Sequence, residues 1–167
     1  MGTPKAFQVT GRAPGSTAQN VPANAVAVTG TLTVTAQTDN GYLYLGPSAL
    51  AAPTTGSLYF PKGDNRATGL TVKLGAGGKL SVTFVSSAGS KTDVVFDVTG
   101  YFIPGGSGAT YVAVTPNRLV DSRPSAKLGL KSALGSYVAA TFGVTGRVPS
   151  DPKNVPAGAV AVTGTLT

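Results

Sequence analysis

The 167-residue chain contains no cysteine, no histidine, no tryptophan and no glutamate. Without thiols or imidazoles it has no disulfide, no cysteine nucleophile, no histidine base and no ordinary zinc site. Carboxylate chemistry falls to Asp39, Asp64, Asp93, Asp97, Asp121 and Asp151 alone. Charge is sparse as well, 11% of residues against about 25% in a typical soluble domain. The surface must therefore be mostly Thr, Ser, Gly, Asn and backbone, a face with a small desolvation penalty that suits packing against copies of itself. No apolar run is long enough to span a bilayer, so no membrane insertion is expected. Met1-Gly2 reads as an expression start, which leaves the lack of a leader uninformative.

The net charge of +7 arises from 13 Lys and Arg against six Asp. A nucleic-acid surface would cluster those cations among aromatics. Here they stand singly, as at Lys5, Arg12, Lys62, Arg66, Lys73, Lys79 and Lys91. No nucleic-acid partner is expected, and the charge is read as solubility with some attraction to anionic cell-wall polymers.

What the chain does have is a repeat. Asn20 to Thr33 is written again, nearly letter for letter, at Asn154 to Thr167, and Phe7-Gln-Val-Thr-Gly-Arg returns as Phe142-Gly-Val-Thr-Gly-Arg. The offset is 135 residues at Phe7 and 134 at Asn20, and 19 of the 26 positions from 142 to 167 match the first copy. A period of that length is a whole small domain. The chain reads as one set of repeat positions plus a redundant strand pair: an expression scar or frayed terminus over 1–5, then a single β domain over 6–167, cut out of phase from a tandem array. The natural repeat junction is placed near 104–110, where Gly105-Gly-Ser-Gly108 supplies a flexible joint.

Gly 23 and Pro 12, with Val and Thr between them, indicate short strands and frequent turns. From Ala25 to Gln37, Val26, Val28, Leu32 and Val34 alternate with threonines, so the aliphatics take one face and Thr29, Thr31, Thr33 and Thr35 the other. Gly30 breaks the apolar face, as at a bulge or a close backbone approach. Asp39-Asn-Gly41 predicts a tight hairpin returning as Tyr42–Leu45, and Gly75-Ala-Gly-Gly78 a second one joining 67–74 to 79–86. Further strands are predicted at 6–10, 57–60, 93–99, 111–116, 137–146 and 159–167. The fold class is all-β: an antiparallel sandwich, jelly-roll or immunoglobulin-like in general shape, of about eight to ten short strands. Its predicted core is Val26, Val28, Leu32, Val34, Leu43, Leu45, Leu58, Phe60, Val72, Leu74, Leu80, Val82, Phe84, Val95, Phe96, Val98, Tyr101 and Val112.

Five segments carry a resemblance: Thr115-Pro-Asn-Arg-Leu-Val-Asp-Ser-Arg123, Val155-Pro-Ala-Gly-Ala-Val-Ala-Val-Thr-Gly-Thr-Leu-Thr167, Gly63-Asp-Asn-Arg-Ala-Thr-Gly69, Leu74-Gly-Ala-Gly-Gly78 and Phe96-Asp-Val-Thr-Gly-Tyr-Phe102. Together they resemble the tandem β-rich repeats of large secreted or surface-exposed bacterial proteins, over nearly everything from Phe7 to Thr167. The resemblance implies an extracellular or cell-surface, non-catalytic module, and no enzymatic activity follows from it.

Four constellations are candidates for function. Arg118, Asp121 and Arg123, with Asp97, could hold a carboxylate pair for glycoside hydrolysis; an Asp among apolar residues needs cations or N–H donors, and an Arg fork supplies them, so the structural ion-pair reading is preferred. Asp39, Asn40, Asp64 and Asn65 offer oxygen ligands, but their spacing matches no calcium loop and turn chemistry explains them. Tyr42, Tyr44 and Tyr59 could stack sugars, since Tyr42 and Tyr44 share a strand face; cross-strand packing is the plainer reading. The fourth is the duplicated segment, represented by Phe7, Val26, Val28 and Leu32 in the first copy and Phe142, Val160, Val162 and Leu166 in the second. If both copies suit one slot, the spare leaves unpaired edges for a partner to cover. The expected partners are therefore self, as neighbouring repeats or a homo-oligomer, and cell-wall or surface glycans. No cofactor, no metal and no catalysis are expected.

Overall fold

A computed structural model describes residues 2–11, 21–106, 108–114, 118–146, 155–164 and 166. They fall into two compact units, 1–106 and 107–167. The division falls within the Gly-rich joint at 105–108.

The first unit is an all-β, sandwich-like fold of two antiparallel sheets. Its strands are β1 (Lys5–Gln8), β2 (Ala27–Thr35), β3 (Gly41–Gly46), β4 (Leu58–Phe60), β5 (Arg66–Lys73), β6 (Lys79–Val85) and β7 (Asp93–Phe102). One sheet runs β1-β6-β3-β4 and the other β5-β2-β7. Near the N-terminus Lys5 opens β1 opposite Val82, and the Gly2 N–H donates to the Ala51 carbonyl at 3.0 Å.

Alternation along the strands builds the core. In β2, Val28, Gly30, Leu32 and Val34 are buried and the intervening residues half-buried. They meet Leu43, Leu45, Leu58, Phe60 and Leu80 from the facing sheet, with Val72, Leu74, Phe84 and Phe96 at the margins of one cluster. Each fully buried Leu or Val contributes roughly 1.5–3 kcal/mol. Phe60 of β4 and Phe84 of β6 stack within one sheet with ring centroids 5.9 Å apart.

Both predicted hairpins are corners between sheets. β2 and β3 lie in different sheets, and so do β5 and β6. After β2 the chain turns through Ala36 at φ 52°, buries Gln37, and ties Thr38 N–H to the Lys91 carbonyl at 3.0 Å before reaching Asn40-Gly41. Turn residues fix a reversal of direction, but not whether the returning strand pairs beside its predecessor or crosses the core. Ladder pairing is instead long-range, β1 with β6, β3 with β6, and β2 with both β5 and β7; β3 with β4 is the exception.

Gly30 sits where the β2–β7 register slips. Thr29 faces Gly100 and Gly30 faces Val98, so Thr99 is the extra residue of a bulge. A Cβ on Gly30 would press into the Asp97 carbonyl oxygen and stand 2.9 Å from Cε2 of Phe96. The position excludes a side chain because the Phe96 ring lies beneath it.

Five predicted core residues are exposed: Val26, Val95, Val98, Tyr101 and Val112. Val95 points to the outer face of β7, and Val98 and Tyr101 lie on an edge strand that the facing sheet leaves uncovered. Val112 belongs to the second unit. Among its described residues that unit forms no strand; isolated bridges join Asp121 with Leu128 and Gly129, and Thr145 with Val155. The strands predicted at 111–116, 137–146 and 159–167 are therefore not formed over their described residues, while 115–117, 165 and 167 lie outside them.

Candidate functional site

The most tightly bound polar group belongs to the second unit. Asp121 is buried, and its carboxylate accepts from both neighbouring arginines: Arg118 Nη1 at 2.8 Å, Arg123 Nη2 at 2.7 Å and Arg123 Nε at 3.0 Å, with the Arg123 backbone N–H at 3.1 Å. The Arg123 side-chain hydrogen bond, then its backbone N–H, holds the Asp121 carboxyl well below the usual carboxylate range against the opposing effect of burial, and the same pairing raises Arg123. The Asp121 backbone meanwhile exchanges hydrogen bonds with Leu128 at 2.7 and 2.8 Å. A carboxylate saturated by a bidentate fork is a staple for the 118–129 loop and a poor proton donor or nucleophile. Asp97 stands elsewhere, exposed on β7 opposite Thr31.

The tyrosines do not make an open platform. Tyr42 and Tyr59 are cross-strand partners with ring centroids 5.1 Å apart and planes tilted by 33°. Loop 47–57 folds over this face: Tyr42 Oη donates to the Pro53 carbonyl at 2.8 Å, Gly56 N–H to Tyr59 Oη at 3.0 Å, and Thr83 Oγ1 to the Leu50 carbonyl at 2.8 Å. The Tyr44 hydroxyl lies where a Cβ on Gly46 would be. Tyr42 and Tyr44 are half-buried, and only Tyr59, 58% exposed, offers a ring to solvent. Beside it is a shallow depression of about 460 Å³ lined by Asn40, Gly41, Tyr42, Tyr59, Phe60, Pro61 and Arg66. Nothing in the residues of this loop signals such a role; its Pro47, Pro53 and Gly56 mark turns and nothing more.

The turn residues serve the corners. Asn40 Oδ1 accepts from Lys62 N–H at 2.8 Å, Asp39 Oδ1 accepts from Asn40 N–H at 2.8 Å, and Asp64 pairs with Arg66 Nε at 2.6 Å. The Ser87 side chain, then the Asn40 N–H, lowers the Asp39 carboxyl. The buried Gln37 amide donates to the Asp64 carbonyl. Among the described residues no three Asp side chains gather as metal ligands, and no helix is long and apolar enough to cross a membrane.

The two copies of the repeat are locally alike and differently placed. Gly11 N–H donates to the Val21 carbonyl at 2.8 Å, and its counterpart Gly146 N–H to the Val155 carbonyl at 2.9 Å. The turn Ala25 N–H to Pro22 O, at 3.0 Å, recurs as Ala159 N–H to Pro156 O at 3.0 Å. From there they part. In the first copy Phe7 packs against the core, and Val28 and Leu32 are completely buried, with Val26 exposed at the strand's start. In the second, Phe142 and Val160 are exposed, Val162 is 54% exposed and Leu166 is 90% exposed. Local sequence reproduces local turns; burial of β2 depends on the strands it lies between.

Comparison with protein-family models, with curated proteins and with solved structures finds no match.

Proposed function

We propose that the chain is a non-catalytic structural repeat of an extracellular or cell-surface bacterial protein, and that it assembles through its duplicated segment. The observation that carries this reading is the contrast between Leu32 and Leu166, identical in repeat position, one wholly buried and the other 90% exposed. A segment with the sequence of a central strand that, over its described residues, joins no strand ladder leaves an open edge and an uncovered apolar row, the two features that drive strand exchange. Donation head to tail produces open chains, and reciprocal donation a dimer. Low charge, absence of cysteine and the resemblance to tandem surface repeats support the location.

The alternative, a carbohydrate-binding or adhesive module on the Tyr42, Tyr44 and Tyr59 face, draws less support, because Tyr42 and Tyr44 are half-buried and loop 47–57 hydrogen-bonds the hydroxyls of Tyr42 and Tyr59. Light scattering with negative-stain imaging tests the proposal. Oligomers or fibres that vanish when residues 142–167 are deleted are expected; a sharp monomer at every concentration overturns it, and selective binding on a glycan array would favour the module.

A further inference from the structure

The four sheet edges of the first unit are unequally protected. β1 has four residues and opens with Lys5, β4 has three and runs into Pro61, and β5 carries Arg66 and Lys73 at its ends. Short strands, lysine, proline and bulges are the usual means of blunting an edge. β7 is not short and has neither lysine nor proline, and its bulge at Thr99 leaves the run 93–98 in regular register with β2. It is a ten-residue strand, the longest among the described residues, whose one neighbouring strand there is β2, and its inward row of Val94, Phe96, Val98 and Tyr101 leaves Val94 37%, Val98 39% and Tyr101 49% exposed.

Resting on the strand-donation reading above, we propose that β7 is the acceptor edge, and that its occupant is residues 159–167 of a second copy of this chain. Ala161 to Thr167 is identical, residue for residue, with Ala27 to Thr33 of β2. That sequence already pairs antiparallel with β7, Ala27 opposite Phe102 through Thr33 opposite Val95. The donated strand brings Val162 and Leu166 onto the face where Val28 and Leu32 lie, extending the apolar row across the uncovered residues of β7. Its donors and acceptors meet those on the open side of β7, and Thr163 continues the threonine face of β2. Charge agrees: β7 carries Asp93 and Asp97 and no cation, whereas residues 107–146 carry Arg118, Arg123, Lys127 and Lys131 against Asp121 alone. Donor and acceptor are different surfaces, so donation head to tail is heterologous and propagates.

The full-length chain tests this by complementation. Val94→Lys with Val98→Lys blocks the acceptor and keeps the donor; Val162→Lys with Leu166→Lys does the reverse. All four positions are exposed, and circular dichroism with thermal unfolding checks that each variant folds; Val98→Lys alone replaces the acceptor pair if it does not. By light scattering, the wild type is expected to grow in mass with concentration, each variant alone to stay monomeric, and their equimolar mixture to stop at a dimer. If the donor variant is monomeric but the acceptor variant still grows, β7 is not the acceptor, while strand donation stands. If the donor variant grows like the wild type, or the wild type never leaves the monomer, strand donation itself fails and this inference with it.

Discussion

Val28 and Val162 hold the same position in the repeat, 134 residues apart, and the first is completely buried while the second is 54% exposed. Val28 lies on β2 between Val72 of β5 and Tyr101 of β7. Val162 has the same neighbours in sequence and, among the described residues, no strand paired beside it. The difference therefore measures what tertiary context adds to a fixed local sequence.

Replacing the paired leucines by alanine should expose that difference as stability. Leu32→Ala empties a fully buried site and is expected to cost about 2–5 kcal/mol. Leu166→Ala, at an exposed site, should stay within about 0.5 kcal/mol. Urea denaturation at dilute, monomeric concentration gives both values; equal losses would contradict the assignment of burial.

Gly30 and Gly164 form a second pair. Gly30→Ala drives a methyl group against the Asp97 carbonyl and the Phe96 ring, whereas no atom stands within 4 Å of a Cβ on Gly164. Overpacking at Gly30 should destabilise by about 1–3 kcal/mol. Gly164→Ala should be neutral or slightly stabilising, through the reduced freedom of the unfolded chain. Comparison of the two melting curves, recorded at low concentration, checks the bulge geometry directly.

Tyr42→Phe removes the hydroxyl that donates to the Pro53 carbonyl. A loss of about 0.5–1.5 kcal/mol is expected, with faster proteolytic nicking in loop 47–57. Tyr59→Ala should change glycan-array binding no more than Tyr42→Phe does. A selective loss of glycan binding in Tyr59→Ala would instead restore the adhesive reading of that face.

The Asp121 staple has a defined pH signature. Its carboxyl titrates below the unfolded value of about 3.9, so the folded loop binds fewer protons there than the unfolded chain. The staple's contribution is thus complete above about pH 5, shrinks as pH falls below the unfolded value, and is lost as pH passes through the folded one. Exchange protection of the Leu128 N–H, bonded to the Asp121 carbonyl, should hold from pH 7 to 5 and fall only at stronger acidity. Asp121→Asn should lower it at every pH. Arg123→Ala should weaken it more than Arg118→Ala, since Arg123 supplies two of the three side-chain bonds.

Much of the sandwich was legible because its signal is local. Period-two alternation of Val28, Leu32 and Val34 marks β2, and Gly and Pro clusters bracket the strands of residues 5–102. Sheet assignment was not legible, since Asn40-Gly41 and Gly75–Gly78 specify reversals that serve a corner as well as a hairpin. β7 misled for a related reason: Val95, Val98 and Tyr101 have the composition of a core strand, but its place at a sheet edge comes from long-range pairing. The Arg118–Asp121–Arg123 cluster could be read from spacing alone, its partners being two and three residues away. The covering of the Tyr face could not, because loop 47–57 reaches it through backbone carbonyls that carry no sequence signature.

Amide hydrogen exchange over residues 160–167, followed as protein concentration rises, tests the assembly claim most directly. The account predicts that these amides exchange freely in dilute solution and become protected in step with those on the open edge of β7. Free exchange at every concentration, in samples whose mass nonetheless grows, would show that the chains associate by another surface and contradict it.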